Sequence, residues 1–281
     1  MTVIHLKAIF FDLDDTLIET SKAESLAFEA VKQLLIRDLN LTHHMADVVI
    51  SNLRVALSTN PWDPTDEKHV WSWRQELWQR VLERHCFQVC NNDTSEAQIQ
   101  KGPMPELLAW KITVTFRDVR LRNLKMSTQT QYTLGQLKRR GILLAVITNG
   151  HTVVQREKLA ACGAYRMFES HHIFVGGEEE LAGRMQKPSS SIFERVCTVL
   201  DVERGEVLHV GDNWDIDILG ASAARLGWSV WLTTEKETVC NCTDCVPSAT
   251  FISIHTFLTC LIRELDVDEC SVCCFHPPIT L

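Results

Sequence analysis

No stretch of this chain approaches the roughly 20 consecutive apolar residues that crossing a bilayer requires. The longest apolar run, Ile142 to Ile147, is far shorter. Positive charge is in deficit: 28 Lys and Arg stand against 36 Asp and Glu, a net charge of −8. That balance supports neither a nucleic acid nor an anionic membrane as partner, though a local site on an acidic protein can still take an anion. No secretory leader is legible, because Ala8–Phe11 is closed at once by Asp12, Asp14 and Asp15 and no small-residue cleavage pattern follows. The expected location is cytoplasmic. No Gly-rich loop followed by Lys-Ser/Thr is present, which argues against a P-loop nucleotide enzyme. No internal repeat is visible.

The composition is that of a globular protein, 45% apolar and 23% charged over 281 residues, which excludes a disordered chain, a collagen-like repeat or a coiled coil. Cysteine is the exception, with 11 residues, seven of them between Cys240 and Cys274. A cytosolic compartment keeps thiols reduced, and the sequons at Asn40, Asn92 and Asn241 are then chance matches. Cys240, Cys242 and Cys245 with Cys270, Cys273 and Cys274 admit a zinc–thiolate reading. Their irregular spacing favours free thiols in a loose tail.

Val3 to Phe11 reads as a short buried strand ending in acids. Lys22–Leu39 and Trp71–Arg84 carry apolar residues at helical spacing, and Met104–Trp110 suggests a further short helix. Five tryptophans (Trp62, Trp71, Trp73, Trp78 and Trp110) fall in this region, which reads as an all-helical insert. From about Thr133 the pattern alternates. A helix around Leu134–Arg139 closes at Gly141, then come a strand at Ile142–Thr148, a helix near Val153–Ala161 and a strand at Ile173–Val175. A helix at Ser191–Leu200, a strand at Val207–Val210, a helix bearing Ile216, Leu219, Ala223 and Leu226, and a strand at Ser229–Leu232 follow. Phe251–Leu265 reads as a strand turn and a helix. Strands alternating with helices imply a parallel sheet covered on both faces. The expected architecture is an α/β, Rossmann-like core from 1–18 and 131–265, a helical cap from 19–130, and a flexible Cys-rich tail from 266–281.

Four polar clusters follow four of these strands: Asp12-Leu13-Asp14-Asp15-Thr16, Thr148-Asn149-Gly150, Lys187-Pro188, and Gly211-Asp212 through Asp217. In an open α/β sheet, the crevice beyond the strands' C-terminal ends binds ligands, so these clusters should converge. Carboxylates with one lysine, one hydroxyl and one amide suit phosphoryl transfer. The carboxylates alone would repel a phosphate, so a divalent cation must sit among them, and magnesium is the best match to hard oxygen ligands. Each cluster alone has a plainer reading: Asp as a helix cap, Lys187 as a solvated lysine, Thr148-Asn149-Gly150 as a turn.

Taken in order, the four clusters resemble the motifs of the haloacid dehalogenase superfamily. The resemblance implies that Asp12 attacks phosphorus and that Asp14 protonates the leaving oxygen, then activates water. It also implies Mg2+ held by Asp12, the Asp14 backbone and Asp212. The phosphoryl group would be bound by Thr148, Asn149, Lys187 and the amides of Leu13, Asp14 and Asp15, with Asp217 in support. Asp14 argues against dehalogenation, whose branch lacks an acid at that place. The helical insert lies where this superfamily places a mobile cap that reads the leaving group.

Stretches such as Gln155-Arg156-Glu157-Lys158 and Val175–Glu178 further resemble the branch that dephosphorylates N-acylneuraminate 9-phosphate, implying a small phosphorylated sugar as substrate. Stretches near 112–119 and 179–186 are longer than in that branch. Arg117, Arg120 and Arg122 are candidates for a substrate carboxylate, and Arg120 is preferred through the resemblance alone. The alternatives are a phosphatase for another small sugar phosphate or phosphoglycolate, a non-catalytic scaffold, and a phosphomutase. His43-His44 and His171-His172 have no ligand-spaced partner, and the sequence does not fix an oligomeric state.

Overall fold

The computed structural model describes residues 5–60, 69–87, 104–234 and 247–266. The chain divides into two compact units, one comprising residues 1–19 and 125–281 and the other residues 20–124. The sequence-based expectation starts the second core segment at 131; here the helix beginning at Thr128 already belongs to the first unit. No helix among the described residues is long and apolar enough to cross a membrane.

The first unit is built on six parallel strands in the order β3-β2-β1-β4-β5-β6. They are β1 (Ala8–Phe11), β2 (Leu143–Thr148), β3 (Ile173–Val175), β4 (Val207–Gly211), β5 (Trp228–Leu232) and β6 (Ala249–Phe251). β1 and β4 are buried along their whole length, as central strands of a sheet covered on both faces must be. Phe11 pairs with Val146 of β2 and with Val210 of β4. That register brings the C-terminal ends of three strands level. Asp12 extends the ladder by donating its backbone N–H to Val210 O (2.9 Å). Chain order turns outward on both sides of β1, and such a switch point opens a crevice.

Helices α5 (Thr128–Arg139), α6 (Thr152–Ala161), α7 (Gly176–Leu181), α8 (Ser190–Leu200), α9 (Leu219–Ala223) and α10 (Ile254–Asp266) belong to this unit. One sheet face packs Phe10, Ala145 and Ile147 against Ile192, Phe193 and Val196 of α8. The expected helix through Ile216 is a π-helical turn, Trp214–Ile218, followed by the short α9. Such turns recur at functional sites.

The second unit is all-helical: α1 (Thr20–Leu39), α2 (His43–Thr59), α3 (Val70–Leu82) and α4 (Pro105–Asn123). Its core centres on Phe28, Trp78 and Phe116, with Phe28–Phe116 centroids 4.8 Å apart and Trp78 set edge-on to Phe116 at 5.2 Å. α2 has no counterpart in the sequence reading, and α4 runs thirteen residues past the expected end at Trp110. The stretch 112–119 is therefore continuous helix. The cysteines of the zinc reading and the tail beyond Asp266 lie outside the described residues.

Candidate active site

A cavity of about 200 Å³ lies beyond β1, β2 and β4. It is lined by Asp12, Asp14 and Asp15 from the loop after β1, Thr148 and Asn149 from the end of β2, Lys187, and Asp212 and Asp217 behind β4. Clusters up to 205 residues apart in sequence thus meet in one place. Leu13 contributes no side chain, being wholly buried, so its candidacy rests on its backbone amide. A larger cavity of about 610 Å³ shares Asp15 and Asp212 but holds neither Asp12 nor Lys187. The smaller one brings all four polar clusters together.

Lys187 organises the centre. Its ammonium is buried and donates to Asp12 Oδ1 and Asp217 Oδ1, both at 2.6 Å. Burial works against that charge, but the two carboxylates outweigh it and hold the lysine protonated. Asp217 is fully engaged on the protein side. Its Oδ1 also meets His209 Nε2 at 2.9 Å, and its Oδ2 accepts the Asn213 N–H at 3.2 Å. Gly211 makes this approach possible, since a Cβ there would fall on the Asp217 carboxyl group. Burial pushes the His209 imidazole below its usual value, so it is neutral and its Nε2 donates.

Asn149 also braces Lys187 from within the protein. Its Nδ2 donates to Lys187 O (2.7 Å) and its Oδ1 accepts the Lys187 N–H (3.1 Å). The side chain pins the lysine's backbone and keeps one amide hydrogen for a ligand. Thr148 Oγ1 is a buried hydroxyl with no hydrogen-bond partner among the described residues. An orphaned donor in a polar cavity is the feature an anionic oxygen would satisfy.

Oxygens of Asp12, Asp212 and Asp217 lie within 4.8 Å of one another, close enough to share a metal ion. Asp12 Oδ2 and the Asp212 carboxylate meet no other residue's donor among the described residues, whereas Asp217 is saturated. Asp12 and Asp212 are thus the side chains able to ligate. Burial, with Asp217 and Asp14 adding to it against the pull of Lys187, pushes Asp12 up to about 8. Burial and the Asp217 and Asp15 carboxylates push Asp212 up to about 6. Asp12, Asp14, Asp15, Asp212 and Asp217 bring five carboxyl groups together against the ammonium groups of Lys187 and Lys158. A divalent cation would offset that acidic excess.

The sequence reading gave no role to several residues around the cavity. His209 orients Asp217, and its signal was a lone polar residue in an apolar strand. Trp231 Nε1 donates to Asp212 O at 2.9 Å and fixes that loop. Gln155 and Lys158 of α6 bind Asp14. Arg120 belongs to α4 of the helical unit. It is 1% exposed, pairs with Glu24 at 3.2 Å, and its guanidinium sits 5.4 Å from the Phe116 ring centre. Its Nε and Nη2 have no hydrogen-bond partner among the described residues.

A parallel sheet with this switch point and this acidic, lysine-bearing crevice defines a Rossmann-type α/β protein with a ligand site at its strand ends. The profile of haloacid dehalogenase-like hydrolases matches residues 6–225, and the chain belongs to that family. Among similar proteins, human (Homo sapiens) N-acylneuraminate-9-phosphatase is 28% identical over 232 residues, covering 83% of this chain and 84% of its own. Glyceraldehyde 3-phosphate phosphatase of Methanopyrus kandleri is 29% identical over 221 residues, covering 79% of this chain and 82% of its own. The magnesium-bound HAD-hydrolase YfnB of Bacillus subtilis shares the fold at a TM-score of 0.56 and 19% identity, over 92% of this chain and 99% of that one.

Proposed function

We propose that this chain is a magnesium-dependent phosphomonoester hydrolase acting through an aspartyl-phosphate on Asp12, with N-acylneuraminate 9-phosphate as its substrate. The observation that carries the chemistry is the pairing of a buried carboxylate, Asp12, with a second one, Asp14, in one cavity beside the Lys187 ammonium.

Asp12 attacks phosphorus as the ester P–O bond breaks. The bonding pair leaves on the ester oxygen, which takes the proton of the Asp14 carboxyl group. A water then gives its proton to Asp14 and attacks phosphorus. The acyl-phosphate P–O bond breaks and its electron pair returns to Asp12. Thr148 Oγ1, the Lys187 ammonium, Asn149 and the Leu13–Asp15 amides hold the phosphoryl oxygens. Asp217 and His209 keep Lys187 in place. Asp12, Asp212 and the Asp14 backbone would hold magnesium, which would supply positive charge to a site rich in carboxylates.

The substrate rests on the similarity to the human phosphatase, and Arg120 enters this reading as the group for its carboxylate. The comparable identity to a glyceraldehyde 3-phosphate phosphatase favours a second reading, another small sugar phosphate. A scaffold has no use for Asp12 and Asp14 together. We also read the enzyme as cytoplasmic. Phosphate release from N-acylneuraminate 9-phosphate and a panel of other phosphomonoesters, with magnesium and with chelator, tests the proposal. Preference for the sialic acid ester supports it. Preference for another ester keeps the chemistry and replaces the substrate.

A further inference from the structure

Lys158 is a lysine placed where lysines are seldom found, 5% exposed within the sheet unit. A buried ammonium is tolerable only with a partner, and among the described residues that partner is Asp14. Lys158 Nζ lies 2.8 Å from Asp14 Oδ1 and 2.8 Å from Oδ2. Gln155, one helical turn earlier and 4% exposed, donates its Nε2 to Asp14 Oδ2 at 3.0 Å. Residues three apart share a helix face, so α6 presents both donors together. The same Nε2 lies 2.5 Å from the backbone carbonyl of Asn149, whose side chain pins Lys187. The turn at Gly150, with φ +115°, leaves room for this: a Cβ there would sit 2.9 Å from Gln155 Nε2.

We infer that Lys158 and Gln155 are positioning residues that clamp the Asp14 carboxyl from behind, in register with the phosphoryl-binding loop, for its proton transfers to and from the ester oxygen and water. Three observations carry this. Asp14 lines the cavity while both of its oxygens are held from α6. Gln155 bridges that carboxyl to the strand end bearing Thr148 and Asn149. The contacts span 141 and 144 residues of chain, so they are made by the fold and not by a local turn. A clamp serving only to tie α6 to the β1 loop would not need to grip both oxygens of the carboxylate facing the cavity. The inference rests on the proposed function, since it gives Asp14 an acid–base task to be positioned for.

The test compares kcat/KM for two esters, the alkyl phosphomonoester that wild type hydrolyses fastest and p-nitrophenyl phosphate, whose leaving group needs little protonation. Lys158→Met should lower kcat/KM for the alkyl ester by about 10- to 100-fold, part of the range of general acid catalysis, and for the aryl ester by less than about 3-fold. Lys158→Arg, which offers a carboxylate two donors, should recover most of the loss. Gln155→Ala should show the same selectivity more weakly, so the outcome does not hang on the folding of one variant. On an Asp14→Asn background, Lys158→Met should change kcat/KM by less than about 3-fold, as residues acting as a unit do not add. Equal losses on both esters, or the full Lys158→Met loss repeated on Asp14→Asn, would overturn the positioning role and leave the phosphatase reading intact. Absence of hydrolysis by wild type, or hydrolysis undiminished in Asp12→Asn, would overturn both.

Discussion

One ammonium group at 2.6 Å from each of two buried carboxylates carries the electrostatics of this site. Replacing Lys187 by Met leaves Asp12 and Asp217 facing each other without it. We expect hydrolysis to fall by about 10³-fold or more and stability to drop by about 3 kcal/mol, as when a buried pair loses one member. Phosphate release and urea denaturation measure the two. The carboxylates also give magnesium binding a pH dependence. Without a cation, Asp12 is pushed up to about 8 and Asp212 to about 6, so ligation must displace protons. Apparent magnesium affinity should therefore rise between pH 6 and 8 and level off above. Isothermal titration in that window checks this, and a flat profile would contradict it. At this scale the motif residues were legible because their types and order carry the chemistry. His209, Gln155 and Lys158 were not, since a polar residue's burial and partner are set by chain contacts up to 144 residues away. Asn149 was nominated, but its task of pinning Lys187 needed the lysine's backbone beside it.

Elements were readable where periodicity and punctuation agreed. β2 and α8 are continuous apolar and amphipathic stretches with clear ends, and α5 stops where Gly141 takes φ +82°. α2 escaped because the β-branched run Val48-Val49-Ile50 masks the buried period Ala46, Val49, Ile50, Leu53. α4 was cut short for a similar reason: Ile112 to Phe116 reads as strand-prone, yet Leu108, Ile112, Phe116 and Arg120 fall on one buried face. The π-helical turn Trp214–Ile218 has no sequence signature, although it carries Asp217 to Lys187. Gly211, the last residue of β4, has no room for a side chain beside Asp217, which Gly211→Ala tests. Its methyl group should displace Asp217, and with it Lys187, lowering kcat by about 10²-fold for a small geometric shift. Wild-type kcat in a folded variant would contradict this.

Across the whole molecule, two units with separate cores divide the stability. In the helical unit Trp78 is wholly buried against Phe28 and Phe116. Trp78→Ala should cost about 3–5 kcal/mol of that unit's stability, measurable by denaturant titration. The alternation of strands and helices made the parallel sheet legible, but the strand order and the sixth strand, β6, depend on pairing that periodicity does not encode. The central claim concerns the covalent step at Asp12. The most direct measurement is peptide mass analysis of the Asp14→Asn variant, acid-quenched after mixing with magnesium and a phosphomonoester substrate. The account predicts one added phosphoryl group on the peptide carrying Asp12, and none when Asp12→Asn is combined with it. An unmodified Asp12 peptide under conditions where wild type turns over, or a phosphoryl group on another residue, would contradict it.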